Sequence, residues 1–320
     1  MLLTPEIITI EILDIIFVAF ATVTFFIALR VVFAWERDAT TKKQYTLQLQ
    51  SYLGATIIKF IFYLKIPLFL FFIYTLDSLA HLLPGAMCGA GVVNATVYGT
   101  PLLFIKILNV YLFGYWIVLH KEDMQTKTQI YMKRKFFIYL IAYFLLLGEI
   151  ILEFQLFGGL DVSKVVDCCG AIFSTTDKSY LAEVLGMNTT LLLTLFYGVF
   201  SALIIAFIVK NRYFFSLVNL LYLIISLIAL IAFFGTYIYE LPTHHCPFCL
   251  LQKDYHYIGY ILYTFLYLGT FYGLVLGFID FDEQKASFYR KISLTCNAIY
   301  LFLVSYFPLS FYLKNGVWLS

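Results

Sequence analysis

The stretch Phe214–Tyr239, FFSLVNLLYLIISLIALIAFFGTYIY, runs for 26 residues without a charged side chain. Shortly after it comes Thr243-His-His-Cys-Pro-Phe-Cys-Leu-Leu-Gln-Lys253, and then a second apolar run over about 256–279. A bilayer's hydrocarbon core needs about 20 apolar residues in helical form. Each run is therefore long enough to cross it. Together they read as a membrane hairpin whose connection carries a Cys-x-x-Cys pair, Cys246 and Cys249.

Working outward, eight runs of this kind occur, at about 7–34, 52–80, 99–119, 136–156, 189–209, 214–239, 256–279 and 291–312. They predict an all-α polytopic membrane bundle of about eight transmembrane helices. Composition agrees: 12% of the 320 residues are charged and 62% are hydrophobic, whereas soluble domains carry about 25% charged residues. The 26 Tyr and 34 Phe suit such a bundle, with Tyr favoured at the headgroup level. A net charge of +2 without a clustered basic face gives nucleic acid nothing to bind. The lipid bilayer is the expected partner. Residues 1–6 hold no Lys or Arg and the first run is about 28 residues long, so it is expected to stay as a span rather than leave as a signal peptide. With no internal repeat and no linker, residues 1–320 are expected to form a single transmembrane domain.

Cytoplasmic loops carry the excess of Lys and Arg, and the connections alternate in that respect. One set holds Arg37, Lys42 and Lys43, then Lys121, Lys127, Lys133, Arg134 and Lys135, then Lys210 and Arg212, then Lys285, Arg290 and Lys291. The other holds Lys164, Lys178, Lys253 and Lys314. Thirteen against four predicts both termini outside. It also puts Cys88, Cys168, Cys169, Cys246 and Cys249 on the outer side, with Cys296 alone towards the cytoplasm. A bacterial inner membrane, with these loops facing the periplasm or exterior, would let disulfides persist there.

Three outer loops carry the sulfurs. Residues 81–100 are small, uncharged and glycine-rich, fit to dip into the protein where backbone is shielded from lipid. Residues 157–188 contain Asp167-Cys-Cys-Gly170, and their length favours a functional loop or a small cap. Residues 240–255 contain the Cys-x-x-Cys. That pair is expected at the start of the following helix, where the unpaired N–H groups and the helix dipole favour a thiolate. His244, His245 and Lys253 add positive character, and the short spacing lets the two thiols close reversibly.

Cys246-Pro-Phe-Cys249-Leu-Leu-Gln-Lys253 resembles the motif of the DsbB family of disulfide-forming membrane proteins, over about ten residues. That family has four spans, and the chain carries eight. The resemblance implies that Cys246 and Cys249 are a quinone-linked redox pair, with Lys253 in place of the family's arginine beside the quinone. Upstream loop cysteines feeding such a pair are similar in layout to the vitamin K epoxide reductase family. The implied activity is a thiol relay. A soluble thiol protein on the outer face would reduce a loop disulfide drawn from Cys88, Cys168 and Cys169. That disulfide would exchange with Cys246–Cys249, and a quinone held near Lys253, Tyr255, His256, Tyr257 and Tyr260 would take the electrons.

Two other readings stand beside it. Soft thiolates with imidazole suit Zn or Cu(I), with Cys246, Cys249, Cys168, Cys169 and His245 as candidate ligands. Alternatively the chain is a transporter with structural disulfides. Ionisable groups within spans are functional candidates by default: Lys65 and Lys106, with Glu11, Asp14, Glu149 and Glu153 as possible partners.

Overall fold

The computed structural model describes residues 4–36, 41–125, 129–166 and 188–319. Among these residues helices are the only regular structure, and eight of them are long and apolar enough to cross a membrane. The chain divides into two compact units, Met1–Val166 and Asp167–Ser320.

Unit 1 holds α1 (Pro5–Ala34), α2 (Lys42–Ala80), the short α3 (Gly89–Asn94), α4 (Gly99–Gln125) and α5 (Met132–Gly158). Thr4 caps α1 by accepting the Ile7 N–H at 3.5 Å, and Pro5 follows at the first helical position, where its missing N–H costs nothing. Thr41 caps α2 through the Gln44 N–H at 3.2 Å. α5 packs on α1 and α4, and α2 packs on α1, α3 and α4. Their shared core is aromatic: Phe62 stacks on Phe113 at 4.1 Å and meets Trp116 edge-on at 5.4 Å. The α4–α5 hairpin is closed by polar bonds. Asp123 accepts from Lys135 Nζ at 2.6 Å and from the Tyr131 N–H at 2.8 Å, and Trp116 Nε1 donates to the Lys135 carbonyl at 2.8 Å. Part of residues 81–100 is buried in unit 1. Gly89 to Val93 of α3 are buried against α2 and α4.

Unit 2 holds α6 (Thr189–Val209), α7 (Arg212–Tyr239), α8 (Ile258–Phe278) and α9 (Glu283–Asn315). Asn188 caps α6 and Asn211 caps α7, the latter accepting from Tyr213 N and Phe214 N at 3.0 and 3.1 Å. α8 lies between α7 and α9. A buried amide joins the outer two. Asn219 Oδ1 accepts from Ser293 Oγ and Asn297 Nδ2, both at 3.0 Å. The α7–α8 contact is close because Gly273 faces the Asn219 amide, where any Cβ would collide.

Large apolar side chains cover the outside of the spans, among them Phe26, Phe33, Phe104, Ile208, Phe302 and Leu313. That surface needs lipid, since soluble proteins rarely expose contiguous patches of this kind. Several helices outrun the apolar segments that predict them, α2 starting at Lys42 and α9 at Glu283. Hydropathy marks only the part in hydrocarbon. The intrahelical hydrogen bonds continue into water.

Candidate functional site

The Cys-x-x-Cys segment joins α7 to α8, so it belongs wholly to unit 2. α7 ends abnormally. A π-helical turn at Leu230–Phe234 widens it before a last α-turn, Gly235–Tyr239. Such bulges release carbonyls from the regular ladder and collect at functional sites. Here the Ile231 carbonyl accepts from Nδ1 of His245 at 3.1 Å. A carbonyl can only accept, so the proton is assigned to Nδ1, and in the neutral ring Nε2 keeps its lone pair.

Two tyrosines then hold the backbone of the pair. Tyr239 hydroxyl donates to the Cys246 carbonyl, and Tyr263 hydroxyl, on α8, donates to the Pro247 carbonyl at 3.0 Å. Tyr239 is itself wedged edge-on between His244 at 4.4 Å and Tyr255 at 4.7 Å. Cys246 and Cys249 are both buried, and their sulfurs lie within 4.8 Å of each other. Cys249–Leu251 forms one 3₁₀ turn and Lys253–Tyr255 a second. The first turn sits directly on the start of α8, since a Cβ added to Gly259 would stand 2.9 Å from the Leu250 backbone. Burial, with Cys249 and Asp254 nearby, pushes the Tyr255 phenol above its ordinary range.

His256 and Tyr257 follow with φ of 53° and 56°. Two consecutive non-glycine residues in the left-handed region cost of order 1–3 kcal/mol each and persist only where surrounding structure enforces them. The turn is clasped by Tyr257 N–H and His256 N–H, which donate to the Gln252 and Lys253 carbonyls at 3.1 and 2.9 Å.

This geometry corrects the expectation that the pair begins the following helix. α8 begins at Ile258, nine residues beyond Cys249. The intervening left-handed residues break the ladder, so the sulfurs do not belong to the first turn of α8. Lys253 is likewise not one α-helical turn below Cys249. Extended Gln252 separates the two 3₁₀ turns, and Lys253 is exposed. His256 and Tyr257 are exposed too, so the rings that enclose the pair are those of Tyr239 and Tyr263, which sequence reasoning passed over. Their position, flanking the loop on α7 and α8, was visible, but 26 tyrosines offer too many such candidates.

Cys88 is buried in unit 1 as the residue before α3, and Cys168 and Cys169 lie outside the described residues. Cys296 is half-buried on α9.

The span-buried charges do meet, all within unit 1. Lys65 Nζ bonds Asp14 Oδ1 at 2.7 Å and Glu149 Oε1 at 3.0 Å. Lys106 Nζ bonds the same Glu149 oxygen at 2.9 Å and Glu153 Oε2 at 2.8 Å. Asn109, missed in the sequence, donates to Glu149 Oε2 at 2.5 Å.

No family model matches the chain, and neither a curated protein nor a solved structure matches it.

Proposed function

We propose that the chain is a membrane thiol–disulfide oxidoreductase whose working pair is Cys246 and Cys249. One observation carries the reading: the two sulfurs lie within 4.8 Å of each other, buried, in a strained turn between two spans. The carbonyls of Cys246 and Pro247 are held by Tyr239 and Tyr263. Closing the pair forms one S–S bond and releases two electrons and two protons. A quinone at this turn would supply the matching acceptor. The exposed Lys253, His256 and Tyr257 fit such a group, because they offer N–H and O–H donors and one positive charge at the membrane edge. Unit 2 has four spans, the number of the DsbB family, which supports the resemblance for that half. The electrons come from a soluble dithiol protein, with Cys88, Cys168 and Cys169 proposed as its first contact on the charge-derived topology alone. That topology sets the outer face towards the periplasm or exterior.

The test is quinone reduction by a dithiol with purified protein. Cys246→Ser and Cys249→Ser each abolish it, while circular dichroism shows the helices intact. Unchanged turnover in both variants overturns the proposal.

A metal reading rests on the same sulfur spacing: Cys246 and Cys249 would be ligands to Zn or Cu(I), while His245 does not join the two sulfurs at that spacing. Elemental analysis showing about one equivalent, lost on alkylation of the cysteines, is the expected result under that reading. Metal-free protein removes it.

A further inference from the structure

The charges buried in unit 1 do not balance. Lys65 and Lys106 face three carboxylates, Asp14, Glu149 and Glu153, and all five side chains are at most 4% exposed. Glu149 is fully engaged, taking both ammonium groups on Oε1 and the Asn109 amide on Oε2. Asp14 and Glu153 are each engaged on one oxygen only. Their second oxygens, Asp14 Oδ2 and Glu153 Oε1, are buried without a partner. Each lysine already divides two of its three N–H donors between two carboxylates and lies over an aromatic ring, Phe17 for Lys65 and Phe72 for Lys106, and neither reaches these two oxygens. Glu11, three residues before Asp14 on α1, adds further negative charge at the edge and also has a buried oxygen, Oε1, with no partner. These residues come from four helices, α1, α2, α4 and α5.

An uncompensated buried carboxylate is costly, and the group normally neutralises instead. A metal cation would have to sit beside two ammonium groups. A proton needs no such space and converts a bare acceptor into an O–H donor. We propose that this cluster is a proton-binding site, holding one exchangeable proton in the core of unit 1 on Asp14 Oδ2 or Glu153 Oε1. Glu149 stays ionised between the lysines as the fixed anion, and the proton is the mobile charge of the set.

Infrared spectroscopy of the detergent-solubilised full chain at neutral pH tests this directly. The expected result is a protonated-carboxyl band that shifts in D₂O and is lost in Asp14→Asn or in Glu153→Gln, whichever residue carries it, while Glu11→Gln leaves it in place. Carboxyl ¹³C-labelling of aspartate or glutamate in the unaltered protein makes the same assignment should a variant fail to fold. Absence of any such band overturns the proposal, as does a band indifferent to D₂O or one lost only in Glu11→Gln. Loss of the band when sodium replaces potassium at constant pH also overturns it, by identifying a cation site.

Discussion

Nδ1 of His245 stands 3.1 Å from the carbonyl oxygen of Ile231, so the residue preceding the Cys-x-x-Cys is tied to the π-turn of the span that leads to it. His245→Leu deprives that carbonyl of its donor. Leaving a buried acceptor unmatched costs about 1–3 kcal/mol, to be read as a lowered midpoint of unfolding. His245→Asn keeps an N–H in reach and is expected to recover most of the loss.

Gly259 is the second point of control. A methyl group there meets the Leu250 backbone at 2.9 Å, and neither backbone can yield as a flexible side chain would. Gly259→Ala is expected to cost about 1–3 kcal/mol by overpacking and to displace the Cys249–Leu251 turn. Oxidation of the Cys246–Cys249 pair, followed by alkylation and mass measurement, should slow in the variant. An unchanged closure rate would show that the turn's seat on α8 does not govern the sulfurs.

Tyr239→Phe removes the hydroxyl that holds the Cys246 carbonyl but keeps the ring. The net loss of one hydrogen bond is about 0.5–1.5 kcal/mol. The sharper effect is expected at Cys246 itself, whose labelling by a thiol reagent should quicken as its backbone loosens, with Cys296 as the internal reference.

The buried ion cluster predicts an order of damage. Lys65→Met strands Asp14 and Glu149 beside a single remaining ammonium, and breaking a buried pair in this way costs about 3–5 kcal/mol. Asp14→Asn leaves two carboxylates to two ammonium groups, a balanced set that needs no bound proton, and should cost distinctly less. Thermal unfolding in one detergent compares the two. An equal loss, or the reverse order, would contradict the excess of carboxyl groups over lysines in the cluster.

The spans were legible because one physical quantity, the length of apolar chain needed in hydrocarbon, determines them. α6 matches its expected 189–209. The meeting of Glu149 and Glu153 with Lys106 was also foreseeable, since residues four apart share a helix face and buried charges seek partners. The cysteine turn was not. Its shape depends on three distant facts: the π-turn at Leu230–Phe234, the absent side chain at Gly259 and the left-handed pair His256–Tyr257. None has a local signature, because non-glycine residues are uncommon at positive φ and the apolar run of α7 gives no sign of a widened turn. Asn109 and Asn219 escaped notice for a similar reason. A neutral amide inside a span becomes informative only once its partner on another helix is known.

α2 has 39 residues, about 58 Å of helix at 1.5 Å per residue, against a hydrocarbon layer of roughly 30 Å. Its first turns, Lys42-Lys-Gln-Tyr-Thr-Leu-Gln-Leu-Gln-Ser51, therefore stand clear of the lipid as a rigid post. A spectroscopic tag placed on that post lies on the same helix as Lys65, about four to six turns before it and on the near side of Pro67. Rearrangement deep in the bilayer can then be followed from water, with no probe having to enter it.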